Sequence, residues 1–206
     1  MHALYGEAIA VLTGDALLTR AFETLADAPA RLARRALRIV SLLGQATGSQ
    51  RGIIGGQSLE TMEALPTADA GGLGAGRPEE IERYHAMKTG ALFRLAAEAG
   101  ATAAGATDTA AWGEVGQSLG LAYQIADDLC DVCGDEGAAG KPVGRDAALG
   151  RPNAVLLEGE RAARARVEAL LERAQVLATA LAVDPTPLTQ LLCELRGHFL
   201  RVSPQR

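Results

Sequence analysis

The chain has 206 residues, 48% hydrophobic and 22% charged, with a formal net charge of −5. That is the size of one globular domain, taken here as residues 1–206, and the apolar content excludes a disordered chain. No apolar run approaches the roughly 20 residues of a membrane span, the opening MHALYGEAIAVL lacks the basic start and cleavage site of a signal peptide, and the mild acidity argues against broad nucleic-acid binding.

Helical periodicity runs through nearly the whole chain, and no alternating strand pattern is found. The spacing of Ile9, Leu12, Ala16 and Leu17 predicts a helix over 3–26. Pro29 starts a second, through about Gly44. A Gly-rich stretch, Gly44 to Gly56, leads to a short helix around Ser58–Ala64, and residues 66–78 read as a surface loop. Pro78-Glu79-Glu80 places proline and acids in a first helical turn, opening a helix expected to end at Gly100. Asp108 can cap the next, which runs through Asp131. Residues 134–152 form another loop, followed by a helix over about 159–182 and a shorter one after Pro187. Only 3% of residues are aromatic, and the many alanines favour closely packed helices.

Three cysteines without a secretion signal fit a reducing cytoplasm. Cys130 and Cys133 form a C-x-x-C, but no second pair or nearby histidine makes a zinc site, and the strand–helix–strand context of a redox motif is absent. His2, His85 and His198 share no ligand spacing. Gly72-Leu73-Gly74-Ala75-Gly76 mimics part of a dinucleotide fingerprint with no strand before it. Arg31, Arg34, Arg35 and Arg38 make a basic helical stripe that reads as a solvated face, with an anionic partner as the alternative.

The informative segment is LGLAYQIADDLCDV, residues 119–132. It is apolar nearly all round, yet Gln124, Asp127, Asp128 and Asp131 fall on one helical face. Three close carboxylates repel one another, and burying them unpaired costs several kcal/mol. The face therefore lies in water or looks onto cations, and Mg²⁺ suits such oxygens and bridges to phosphates.

A second anomaly is Lys88, which interrupts the apolar stripe Ile81, Tyr84, Ala91, Leu92, Leu95. It either snorkels outward or points into the same hollow, with the Thr89 hydroxyl beside it. A third is the loop bearing Lys141, Arg145 and Arg151, either an ordinary charged loop or a set of cations able to fold over the aspartates and hold a diphosphate.

These residues resemble the trans-isoprenyl diphosphate synthases, or polyprenyl synthetases, with the bacterial geranylgeranyl branch the nearest in flavour. Gly14-Asp15-Ala16-Leu17-Leu18 resembles that family's G-D-x-L-L, Gly55-Gly56-Gln57 its G-G-Q, and Lys88-Thr89-Gly90 its K-T-[GA]. Tyr123 to Asp131 resembles the second aspartate-rich motif, F-Q-I-x-D-D-x-x-D. Gly140-Lys141 and Gly144-Arg145-Asp146 resemble the loop after it. The order along the chain is the family's own.

The resemblance implies an all-α bundle around a central cavity and usually a homodimer. It implies Mg²⁺-dependent condensation of isopentenyl diphosphate with an allylic diphosphate. Asp127, Asp128 and Asp131 match metal ligands; Lys88, Asp127 and Lys141 match the residues closest to the chemistry. Lys88, Thr89, Gln124, Lys141, Arg145 and Arg151 match diphosphate contacts, and Gln57 and Tyr123 line the substrate cavity. Arg145 and Arg151 stand where lysine is common, which keeps charge and changes donor geometry.

The family's first aspartate-rich motif is not found N-terminal to Gly14. The chain thus resembles the C-terminal two-thirds of a synthase domain, and a three-metal cluster is not completed by its residues alone. The expectations are a prenyltransferase forming part of a longer enzyme, or a non-catalytic subunit that pairs with a complete synthase.

Overall fold

The computed structural model describes residues 1–63, 78–133 and 153–200, and every regular element among them is helical. In order they are α1 (His2–Ala26), a 3₁₀ turn (Ala30–Leu32), α2 (Ala33–Thr47) and α3 (Ile53–Glu63). Then come α4 (Pro78–His85), a π turn (Ala86–Gly90), α5 (Ala91–Ala104) and α6 (Thr109–Cys133). The chain closes with α7 (Ala154–Glu158), α8 (Glu160–Leu181) and α9 (Thr186–Leu200). The expected all-α class holds. None of these helices is long and apolar enough to cross a membrane.

The long helix α6 is the axis of the fold, with α8 along one side and α5 along another. Its inner side chains Ala122, Ile125, Ala126 and Leu129 pack against Ala163, Val167 and Leu171 of α8 and Phe199 of α9. Farther down, Val115 meets Ala174 and Ala178 of α8 and Leu192 of α9. Alanines at five of these α6–α8 positions let the backbones approach, and each fully buried branched side chain such as Leu129 contributes about 1.5–3 kcal/mol.

Capping follows the sequence at the start of α6, where Asp108 Oδ1 accepts the Ala111 N–H at 3.0 Å. The preceding helix ends later than expected. Gly100 lies inside α5, and it is Gly105, left-handed at φ 82°, that stops it. The π turn is a second departure: one extra residue per turn rotates everything after it, so Ala91 is buried while Leu92 is 38% exposed. The single apolar stripe read through Lys88 is thus two faces joined at a defect.

α1 differs from the rest. It is broken at Gly6, where φ is 82°, and no residue in it is buried. Leu4, Val11 and Leu17 are 81%, 65% and 69% exposed. Of the arginine stripe, Arg35 donates to the Ala103 carbonyl and Arg38 to the buried carboxylate of Glu98. Half of that stripe is therefore tied to α5 rather than forming an open basic face.

Candidate active site

Three elements meet around the middle of α6. The π turn carries Lys88 and Thr89 on one side, α3 lies behind it, and α7 returns against the aspartate face. The Gly55-Gly56 pair has a steric reason. A Cβ on Gly56 would sit 2.7 Å from the Lys88 amide nitrogen, and one on Gly55 would sit 2.7 Å from Met87 Cε. Only glycine lets α3 lie this close to the lysine-bearing turn. Gln57 follows directly and is exposed.

Lys88 neither snorkels freely nor interrupts a core. Its Nζ donates to the Tyr84 hydroxyl at 2.7 Å and stands 5.2 Å from the centre of that ring. Tyr84 is 2% exposed, so the phenol holds the ammonium group at a fixed place on the half-buried π turn. Next to it, Thr89 Oγ1 donates to Gln124 Oε1 at 2.7 Å. Gln124 Nε2 in turn donates to Asp128 Oδ1 at 3.1 Å. A continuous chain of hydrogen bonds thus joins the lysine–threonine turn to the aspartates.

The aspartates on the shared face have different surroundings. Asp127 is partly exposed. Asp131 is 4% exposed and Asp128 is 1% exposed. The second oxygen of Asp128 accepts the Ala154 N–H at 2.8 Å, which satisfies an otherwise orphaned amide in the first turn of α7. Asn153 completes that cap, its Oδ1 accepting from Val155 and Leu156. Both oxygens of Asp128 are therefore engaged by the protein itself. Among the described residues no group of three or more histidine, cysteine, aspartate or glutamate side chains is gathered to hold a metal ion. Mg²⁺ commonly takes only one or two carboxylates and fills its shell with water and phosphate oxygens, and the partly exposed Asp127 suits that donor set.

His85 had no role in the sequence pattern, and the structure places it here. Its Nε2 is 3.6 Å from Asp128 Oδ2, and the side chain is 3% exposed. Burial, then the positive charges of Arg166 and Lys88, push its pKa down to about 3. Asn153 was missed as well. Nothing in the order of residues says that either approaches Asp128, since each stands more than 20 positions from it along the chain.

The residue before Gln124 on α6 is aromatic and has aromatic neighbours. Tyr123, 45% exposed, lies 5.6 Å from Phe93 and 5.8 Å from Phe199, ring centre to ring centre. Lys141, Arg145 and Arg151 lie outside the described residues, as do the loops 66–77 and 134–152 and the Gly72–Gly76 run. A separate cavity of about 650 Å³ lies between α2, α4 and α5, lined by Arg38, Arg51, Arg83, Arg94 and Met87; none of the aspartates reaches it.

The comparisons fit this arrangement. Residues 1–181 match the family model described as polyprenyl synthetase. The chain is 41% identical over 186 residues to a geranylgeranyl diphosphate synthase of Rhodobacter capsulatus, covering 90% of this chain and 57% of that protein. It is 38% identical over 179 residues to the farnesyl diphosphate synthase of Escherichia coli, covering 84% and 57%. A crystal structure of a Helicobacter pylori geranyltransferase, complexed with magnesium and isoprenyl diphosphate, superposes with a TM-score of 0.69 at 28% identity, covering 98% of this chain and 62% of that one. The chain spans a little under three-fifths of the length of these two curated relatives. It belongs to the polyprenyl synthetase family.

Proposed function

We propose that the chain supplies the second-aspartate-motif side of a prenyl-transfer site, one that binds an allylic diphosphate for condensation with isopentenyl diphosphate. The observation that carries this is the hydrogen-bond chain from Thr89 through Gln124 to Asp128. It sets the Lys88 ammonium and the Asp127 carboxylate in one rigid frame, a cation and an anion positioned for a diphosphate and its counter-ion.

Asp127, with Asp131 as the second candidate ligand, would hold Mg²⁺, which when bound would supply positive charge to a departing diphosphate. Lys88, held by Tyr84, supplies a second positive charge to the same oxygens. Asp128 is the brace that keeps Gln124 and α7 in place. Tyr123 and Phe93, with Phe199 packed behind Tyr123 in the core, would offer apolar, electron-rich faces that exclude water from an allylic cation and attract it. Lys141, Arg145 and Arg151 are the cations of the following loop that the family pattern assigns to the diphosphate.

The test is binding of an allylic diphosphate to the purified chain with Mg²⁺, read by calorimetry. Binding that needs Mg²⁺ and is lost in Asp127→Asn supports the reading. Equal binding by both chains contradicts it, and so does the absence of binding to the wild type. Elongation that changes in length only when a complete synthase is added favours the modulating-subunit reading instead.

One observation favours assembly. The apolar side chains of α1, exposed around the helix from Leu4 to Leu17, form a surface of the kind that two copies cover in a homodimer. Sedimentation equilibrium of the chain alone reads this directly. A dimer that Leu17→Glu dissociates supports it, and a monomer at all concentrations contradicts it.

A further inference from the structure

His85 is the last residue of α4, three positions before Lys88, and is 2% exposed. Its Nε2 has no hydrogen-bond partner among the described residues. It faces Asp128 Oδ2 at 3.6 Å, a few tenths of an ångström outside hydrogen-bond reach. A lone pair on that nitrogen would oppose a carboxylate oxygen, acceptor against acceptor, whereas an N–H would meet it as a donor. The carboxylate already receives Gln124 from α6 and Ala154 from α7. A donor from α4 would complete a ring that ties three elements to one buried side chain.

We propose that His85 is a positioning residue whose Nε2–H closes on Asp128 and, through Asp128 and Gln124, sets the aspartate helix against the Lys88–Thr89 turn. The 3.6 Å contact would shorten on binding of a diphosphate and its metal ion between Asp127 and Lys88, as polar contacts around reacting groups commonly do. The tightening rests on the reading of Asp127 and Lys88 as two sides of a diphosphate site; the direction of the His85 proton does not. Orientation of this kind by a buried partner normally changes metal affinity about tenfold or more.

Two measurements on the full chain separate these points. Long-range proton–nitrogen NMR of the ¹⁵N-histidine-labelled protein at pH 7 reads which ring nitrogen of His85 carries the proton. The Nε2–H tautomer is expected, and the Nδ1–H tautomer overturns the proposal. Electron paramagnetic resonance then reads Mn²⁺ binding in the presence of inorganic diphosphate. His85→Leu is expected to weaken it about tenfold, and His85→Gln, whose amide can still donate, to restore it to near the wild-type level. Equal affinity in wild type and His85→Leu overturns the positioning role. So does a His85→Gln chain as weak as His85→Leu. If His85→Leu fails to fold, wild type against His85→Gln and the tautomer still decide. Failure of the wild type to bind Mn²⁺ and diphosphate contradicts both the tightening and the proposed function, while the tautomer alone continues to decide the contact.

Discussion

Thr89 Oγ1 lies 2.7 Å from Gln124 Oε1 and donates to it, although the two residues are 35 positions apart in sequence. This contact fixes which end of the glutamine amide faces the turn, and so turns Gln124 Nε2 towards Asp128. It is the point at which two separate sequence motifs become one site.

Thr89→Val removes the donor and leaves the Gln124 carbonyl oxygen unsatisfied at a position that is 8% exposed. The expected loss of unfolding free energy is about 1–3 kcal/mol. Gln124→Leu breaks the same contact from the other side. In a urea-denaturation cycle the double variant is expected to be more stable than the sum of single effects by at least about 0.5 kcal/mol. Strict additivity contradicts the bond.

Asp127 and Asp128 adjoin in sequence and are expected to separate in experiment. An asparagine at 128 has one acceptor oxygen where the structure requires two, so either the Gln124 amide or the Ala154 N–H meets a donor. Asp128→Asn should therefore cost about 1.5–3 kcal/mol of stability. Asp127→Asn, on a partly exposed side chain, should change stability by less than about 0.5 kcal/mol while abolishing Mg²⁺-dependent diphosphate binding. Urea melts and calorimetric titrations of both variants check the pair.

Gly56→Ala tests the packing behind Lys88. The added Cβ meets backbone, at 2.7 Å from the Lys88 nitrogen and 2.9 Å from its Cα, so no flexible side chain can yield. The expected cost is about 1–3 kcal/mol, with a matching loss of diphosphate affinity because the lysine is displaced. A fully stable variant with unchanged affinity contradicts the close approach.

His85 gives the pH dependence. Its folded-state pKa, about 3, lies below the ordinary histidine value of 6.5, so between those limits the unfolded chain binds the extra proton. Stability from this residue is complete above pH 6.5 and is lost as the pH falls. Burial sets the direction, reinforced by the positive charges of Arg166 and Lys88. Between pH 7 and pH 5 the wild type should lose about 2 kcal/mol relative to His85→Leu in parallel urea melts. Parallel stability curves contradict it.

Much of this was legible in the sequence because period and composition report it. The aspartate face, the lysine and threonine beside it, the alanine-rich packing and the Asp108 cap all come from spacing along single helices. Three things did not. A π turn leaves no mark in hydrophobic periodicity except a shifted face, so Leu92 was read as core and is exposed. The different surroundings of Asp127 and Asp128 depend on Ala154, which stands 26 positions further along the chain. His85 acts across helices, and a single histidine on an apolar stripe carries no signal of what it meets.

The central claim is that Asp127 and Lys88 belong to one diphosphate site that needs a divalent cation. Its most direct measurement is the melting of the full chain with Mg²⁺ alone, with an allylic diphosphate alone, and with both. At 100 times the dissociation constant, the combination should stabilise the fold by about 2.7 kcal/mol. Either ligand alone should do far less, and Asp127→Asn should abolish the effect. A shift that needs no metal, or one that survives Asp127→Asn, would contradict the account.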